Sequence, residues 1–283
     1  MMYRKAYEWG KTRLEMAGIN EAGLDARILL EYVCHTTRND LHANSERELT
    51  PEEYERYETL VLKRSTRIPL QHPTQSQEFM GLDFYVNDKV LIPRQDTEIL
   101  AEEGIIATED GDRILDLCTG SGCVLLSVMR YKNDVVGVGT DISEEALGVA
   151  RHNYETFRDQ INGTAQFIQS DLYESSELTG HFDVILSNPP YIRTAVIETL
   201  QEEVRDHDPY IALDGGDDGL EFYRRIAAGA SDYLKPEGKL ILEIGYDQAE
   251  DVVAICEEHG FTELKVIKDL SGNDRVVKGK KYV

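Results

Sequence analysis

The stretch Arg113-Ile114-Leu115-Asp116-Leu117-Cys118-Thr119-Gly120-Ser121-Gly122 decides how this 283-residue chain is read. Ile114 to Leu117 is an apolar run of strand length that ends in a glycine-rich turn, and Cys123 to Met129 then has the composition to begin a helix. Glycine lets a backbone approach a ligand closely, and the following helix presents its unpaired N–H groups at the same place. A dinucleotide-binding turn would carry a third glycine where Leu125 stands, so the pattern is incomplete and a nicotinamide cofactor is disfavoured.

Working outward, the next apolar run, residues 135–140, ends in Asp141, and an acidic side chain at a strand's carboxyl edge can accept bonds from both hydroxyls of a ribose. Another ends at Gln169-Ser170-Asp171-Leu172, where Asp171 suits an adenine amino group and Leu172 the face of its ring. Each motif taken singly is equally well explained as a turn or a helix cap. Three of them at successive strand ends favour a nucleoside site. With further runs at residues 182–187, 239–244 and 264–267 separated by helical stretches, residues 93–283 read as an α/β domain with a mainly parallel sheet.

Residues 1–75 carry apolar residues at helical spacing, through Leu14 and Ile19, then Leu24, Ile28, Leu29 and Val33, then Tyr54, Tyr57, Leu60 and Val61. The last of these helices has a marked start: Thr50 caps it, Pro51 suits its first position and Glu53 returns a bond to the cap. Residues 76–92 alternate Leu82, Phe84 and Val86 with Val90 and Ile92 about Asn87-Asp88, which predicts a β-hairpin linking a helical bundle to the α/β domain.

The chain has 53 acidic and 30 basic residues, a net charge of −23, which repels phosphate backbones in the absence of a segregated basic patch. The Lys278, Lys280 and Lys281 run is short, and a solvated tail explains it as well as a nucleic-acid contact does. Four cysteines without a CxxC pair and seven histidines without zinc-ligand spacing predict reduced thiols and no metal. No stretch approaches the roughly 20 apolar residues of a membrane span, and Met1-Met2-Tyr3-Arg4-Lys5 leads into a polar segment, so a cytoplasmic protein with no membrane contact is expected.

Residues 182–187 run directly into Asn188-Pro189-Pro190-Tyr191. Two prolines cannot continue a ladder, so this is a rigid loop at a strand's carboxyl end. Pro190 removes a donor, leaving the Asn188 side-chain oxygen and the Pro189 carbonyl as fixed acceptors for the NH₂ of an amide or aromatic amine, with Tyr191 packed over the planar group.

With that loop the sequence resembles class I S-adenosylmethionine-dependent methyltransferases that modify planar nitrogens, and among them the HemK/PrmC-type release-factor glutamine N5-methyltransferases. The resemblance runs through Pro69-Leu70-Gln71, residues 78–84, Ile92-Pro93-Arg94-Gln95-Asp96-Thr97-Glu98, the Asp116 to Gly122 turn, Ser187 to Tyr191, residues 213–220, Glu243-Ile244-Gly245 and residues 269–275. Gln95 stands where the family usually has a second proline, and His72-Pro73-Thr74-Gln75 replaces a typical Tyr-Ile-x-Gly run; both bear on partner fit more than on the reaction.

The resemblance implies a Rossmann-like domain bearing S-adenosylmethionine, with S-adenosylhomocysteine as product. Cys118, Thr119, Gly120, Ser121 and Gly122 would lie against its methionine part, Asp141 on the ribose, Leu172 beside the adenine and Asn188 at the junction with substrate. The substrate it implies is the glutamine of a Gly-Gly-Gln loop in a peptide-chain release factor, bound by a monomer whose N-terminal bundle contacts the partner, with no direct nucleic acid. Arg94 and Glu98 read either as shaping the cofactor site or as pairing at a domain junction, the second being preferred. The loop 213–219 reads either as a mobile wall of the cleft or as a cap in which Asp217 or Asp218 starts the next helix, and Tyr233 and Tyr246 read as packing residues. The alternatives are an exocyclic amino methyltransferase of adenine N6 or guanine N2, which would grip a flipped base with the same loop, and a ribosomal-protein glutamine methyltransferase.

Overall fold

The computed structural model describes residues 1–282, which divide into two compact units: residues 1–76 with 201–207, and residues 77–200 with 208 onward. In the first, helices α1 (Tyr3–Met16), α2 (Ala22–Cys34), α3 (Arg38–Ala43), α4 (Pro51–Arg64) and α5 (Gln71–Thr74) enclose a core of Leu14, Leu29, Leu30, Val33, Tyr57 and Val61. Leu24 is left exposed. The start of α4 is a reciprocal cap in which the Glu53 N–H donates to Thr50 Oγ1 (3.1 Å) and the Thr50 N–H to Glu53 Oε2 (2.8 Å). Arg64 Nε donates to Asp25 (2.7 Å), and its Nη1 donates both to the Ile68 carbonyl and to Glu203, which Arg67 also pairs. These charges tie residues 201–207 into the helical unit, although the sequence reading placed them in the α/β domain.

In the second unit, β1 (Ser76–Phe79) and β2 (Leu82–Tyr85) form the hairpin. Its turn is Met80-Gly81, not the expected Asn87-Asp88, and both residues have positive φ (51° and 73°), the geometry that suits the twist of paired strands. Two carboxylates overcome methionine's reluctance to adopt it: Glu98 accepts the Met80 N–H and Glu78 the Gly81 N–H, both at 2.8 Å. Phe79, Leu82 and Phe84 are buried in the core of this unit.

The sheet then forms from β3 (Arg113–Leu117), β4 (Val135–Asp141), β5 (Gly163–Gln169), β6 (Phe182–Ser187), β7 (Leu234–Glu243), β8 (Phe261–Lys268) and β9 (Asp274–Lys281), in the order β5-β4-β3-β6-β7-β9-β8. The first five of that order are parallel and β9 runs antiparallel to both neighbours. Helices α6 (Glu98–Ala107), α7 (Cys123–Arg130) and α8 (Glu144–Thr156) contribute to one apolar layer. After the single turns α9 (Thr194–Ile197) and α10 (Glu202–Arg205, in the first unit), α11 (Glu221–Tyr233) and α12 (Ala249–Glu258) contribute to the other.

Two sequence expectations change here. The lysine run is no tail but strand β9, where Val276 and Val277 are buried, Lys278 pairs Glu103, and Lys281 donates to the Ser231 and Leu234 carbonyls. Lysine stems lie along a sheet while their charges reach partners at its margin, which hid the strand from a hydrophobic pattern. The strand expected at residues 239–244 runs from Leu234 to Glu243, with Pro236-Glu237-Gly238 as a bulge inside it and Glu237 at φ 67°. No helix among the described residues is long and apolar enough to cross a membrane.

Asp25 and Arg64 keep only 8% and 10% of their side-chain surface, so Asp25→Ala leaves a guanidinium largely buried without its nearest partner. The variant should lose about 3 kcal/mol of stability. Trp9, the sole tryptophan, packs on Tyr54 and Tyr57 inside the helical unit, so its fluorescence during urea unfolding reports this loss directly.

Candidate functional site

The site begins with strand register. Leu117 pairs with Thr140 on one side and Ser187 on the other, and Ser187 with Leu242. One residue further along each strand come Cys118, Asp141, Asn188 and Glu243, so four residues scattered over more than a hundred positions follow one row of the sheet. β3 is flanked by β4, the next strand in sequence, and by β6, reached after the chain has gone out to β5 and returned; ligands of open parallel sheets bind at such a reversal.

The glycine-rich turn is held in a strained, specific shape. Cys118, Gly120 and Gly122 all have positive φ (58°, 55° and 78°). At Gly122, a side chain would also press on Ala150 and Leu126 at 3.3 Å. Asp116, buried at 2% exposure, accepts a bond from Thr119 Oγ1 (2.6 Å), and burial pushes its carboxyl up to about 7. Asp141 accepts the Gly120 N–H through one oxygen and the Ser143 N–H through the other, each at 2.9 Å. Burial raises its pKa, against the pull of those backbone donors. Asn153, wholly buried on α8, donates to the carbonyls of Ser121 and Tyr85 and accepts the Tyr85 N–H, tying the hairpin's end to the turn.

The Asn188–Tyr191 loop is clasped from behind. Ile192 and Gly215 exchange backbone bonds with the facing strand of loop, the Gly215 N–H reaching the Ile192 carbonyl at 2.8 Å and the Ile192 N–H the Leu213 carbonyl at 3.0 Å. A Cβ on Gly215 would stand 2.7 Å from the Tyr191 Cα, so only glycine permits this approach. Gln248, 2% exposed, donates to the Tyr191 and Gly219 carbonyls and accepts the Gly245 N–H. The loop 213–219 thus packs against the proline loop, and none of its residues lines the cleft. Its Asp218 pairs with Arg224, and α11 starts without a side-chain cap.

A cleft opens over this row. Cys118, Thr119, Gly120, Ser121, Asp141, Leu172 and Asn188 line it together with Asp116, Asp171, Val90, Thr97 and Phe222. Of the expected site residues, Gly122 lies behind it as the start of α7, Pro190 is on its wall, and Pro189 and Tyr191 are not. Instead of covering the cleft, Tyr191 packs against the sheet's second apolar layer and points its hydroxyl at Glu243 (3.4 Å). Arg94 and Glu98 do not pair: Arg94 holds Asp208 and Glu98 holds the hairpin turn. Tyr233 stacks on Tyr173, while Tyr246 is 69% exposed.

The residues missed by sequence reasoning are Asn153, Thr97, Glu243 and Gln248. Thr97 and Glu243 lie within stretches that carry the resemblance, and Glu243 is also an acidic side chain at a strand end like Asp141; Asn153 and Gln248 lie in a helix and a turn where their type is unremarkable.

The cations on the cleft wall are all engaged with carboxylates: Lys89 with Asp88, Arg94 with Asp208 and Arg225 with Asp171. That wall is ill suited to a pyrophosphate. Its carboxylates, with the orphaned buried hydroxyl of Ser121 and the apolar Val90, Leu172 and Phe222, suit a nucleoside carrying positive charge.

Residues 5–72 match the family model of the PrmC N-terminal domain, and residues 95–206 that of the methyltransferase small domain. The chain is 40% identical over 279 residues to the release factor glutamine methyltransferase of Caulobacter vibrioides, covering 98% of this chain and 96% of that one. It is 39% identical over 277 residues to the protein of the same description from Geobacter sulfurreducens, covering 98% and 96%. Among solved structures it is similar to a methyltransferase from Pyrococcus furiosus, with 25% identity, a TM-score of 0.54 and coverage of 78% and 99%.

Because Asp116 holds its proton in the fold at pH values where the unfolded chain has lost it, this group makes stability fall as pH rises from about 4 to about 7. Asp116→Asn removes that dependence. The unfolding free energy of the variant minus that of the parent should climb across this window, by at most about 1.4 kcal/mol per pH unit, and level off above it. Parallel pH profiles for the two proteins would contradict the assignment.

Proposed function

The chain belongs to the release factor glutamine methyltransferase family, and on that premise we propose that it methylates the side-chain amide nitrogen of a glutamine in the Gly-Gly-Gln loop of a peptide-chain release factor. The observation that carries this reading is the position of Asn188, one residue beyond the paired row and beside the turn at Cys118. S-adenosylmethionine, when bound, supplies a methyl group on a positively charged sulfur. Cys118 to Ser121 would hold its amino-acid end, with Gly122 shaping the turn behind them, Asp141 would accept the ribose hydroxyls with the lone pairs left over from Gly120 and Ser143, and Leu172 would border the base.

An amide nitrogen is a poor nucleophile because its lone pair is delocalised into the carbonyl. The Asn188 side-chain oxygen takes one of the amide hydrogens, orients the group and favours a nitrogen whose lone pair points at the methyl. Pro190 keeps a competing N–H out of this wall, and Tyr191, anchored on Glu243, fixes the loop. Positioning at a near-attack separation of about 3–3.5 Å supplies most of the rate gain. The nitrogen becomes acidic as it acquires the fourth substituent, and one of its hydrogens leaves to water as a proton.

The enzyme acts as a monomer and without gripping nucleic acid in this reading. The net charge of −23 supports it: release factors approach ribosomal RNA, so a basic glutamine-bearing domain is expected and would be steered to an acidic enzyme. Binding should weaken steadily as salt is raised, and a salt-independent affinity would contradict that account.

The direct test uses methyl-labelled S-adenosylmethionine with an unmodified release factor and with a copy whose Gly-Gly-Gln glutamine is alanine, with the label located by mass spectrometry. Label is expected on that glutamine alone. Asn188→Ala should reduce turnover at least a hundredfold, about 2.7 kcal/mol of transition-state stabilisation, while cofactor affinity changes little. Label on another residue, or full activity of the variant, would overturn the reading.

A further inference from the structure

A glutamine amide and a glutamate carboxylate have nearly the same size and shape, so a site that accepts one and not the other must do it with hydrogen-bond polarity. An asparagine can present either end. With Oδ1 toward the cleft it accepts an N–H from an amide; with Nδ2 toward the cleft it donates and favours a carboxylate. The surrounding hydrogen bonds decide which end faces in.

Behind Asn188 those bonds form a chain with one direction. Asn188 Nδ2 donates to Thr97 Oγ1 at 3.3 Å, and Thr97 is 3% exposed, so water does not compete. Thr97 is the neighbour that pulls the Glu243 carboxyl down; Glu243 is 2% exposed, receives the Tyr191 hydroxyl on Oε1 and keeps a buried Oε2 that no other group meets, so that oxygen is the acceptor that draws the Thr97 proton. A threonine hydroxyl has a single proton. Once that proton is given to the carboxyl, only lone pairs remain toward Asn188, and turning Oδ1 inward would set lone pair against lone pair. Protonated or not, the carboxyl keeps an acceptor oxygen for the two hydroxyls. The sheet supplies the proximity, since Glu243 follows Leu242 on the strand next to the one that delivers Asn188 after Ser187.

We propose that Thr97, backed by Glu243, is a specificity-determining positioning residue: it holds Asn188 with its oxygen toward the cleft and so makes the site select a glutamine amide over a glutamate carboxylate. The inference rests on the amide-methylating reading above and names what enforces it. Neither Thr97 nor Glu243 needs to touch the substrate for this.

The test compares the wild-type enzyme with Thr97→Val, Thr97→Ser and Glu243→Gln. Each is assayed for methylation of a release factor, for inhibition by a copy carrying glutamate in place of the Gly-Gly-Gln glutamine, and for S-adenosylmethionine affinity by calorimetry. Valine fills the same space but cannot relay a hydrogen bond. Thr97→Val should lower kcat at least tenfold and shrink the ratio of the glutamate copy's Ki to the glutamine substrate's KM about tenfold, with cofactor affinity within twofold. Thr97→Ser should keep the wild-type ratio. Glu243→Gln, whose amide can donate to Thr97 and reverse the chain, should shrink the ratio as well.

A ratio unchanged in both Thr97→Val and Glu243→Gln overturns the inference even if kcat falls, because loss of packing alone would lower activity without altering discrimination. Serine behaving like valine overturns it too. Wild-type enzyme that leaves the glutamine unmethylated overturns the functional reading, and this inference with it.

Discussion

Parallel register across β4, β3, β6 and β7 is the constraint on which the rest depends. Because Leu117 is paired with Thr140 and with Ser187, and Ser187 with Leu242, the chain leaves four strands at one level, and whatever residue comes next faces the same space. A slip of one residue would turn every side chain to the other face and dissolve the row. The register is secured by apolar packing on both faces, with Ile114, Val184 and Leu186 in one layer and Leu115, Leu117, Ile185 and Leu242 in the other. Burial of these side chains is the main favourable term, and it fixes the site's geometry without any site residue contributing to it.

At the row itself the protein accepts costs that a purely stable sheet would avoid. Asp116 and Glu243 are carboxyls with almost no access to water, and burial holds each up to about 7. Left without partners, such groups would be strongly destabilising. Asp116 is met by the Thr119 hydroxyl and Glu243 by the Tyr191 hydroxyl, so each loses part of its penalty by fixing a neighbour beside the cleft. Asn153 and Gln248 do the same with uncharged amides: each bonds several backbone groups at once, one bracing the glycine turn and the other the proline loop. Amides suit this task because they donate and accept together, whereas a buried charge would also have to be neutralised.

This division explains which features were legible in advance. The glycine turn, Asp141 and the Asn-Pro-Pro-Tyr loop announce themselves because each needs an unusual residue type: glycine for positive φ, an acid at a strand end, proline where a ladder must stop. The hairpin turn at Met80-Gly81 and strand β9 were misread for the opposite reason. Side chains from elsewhere, Glu98 and Glu78 at the turn and Glu103 beside the lysines, supply what the local residues lack. Tyr191 was assigned to the cleft from its place in the motif, but its orientation is set by Glu243, fifty-two positions away.

The amino-acid sequence by itself determined the parallel α/β class and which residue types stand at the strand ends, since periodicity and backbone preference are properties of short segments. Tertiary structure alone decided that residues 201–207 join the helical unit, that Arg94 and Glu98 serve different partners, and that Thr97 and Glu243 stand behind Asn188. The physical reason is the range of the forces involved. A conformational preference acts within a few residues of its cause, whereas the partner of a buried polar group is whichever group the packed sheet and its loops bring within about 3 Å, and nothing local records which one that is.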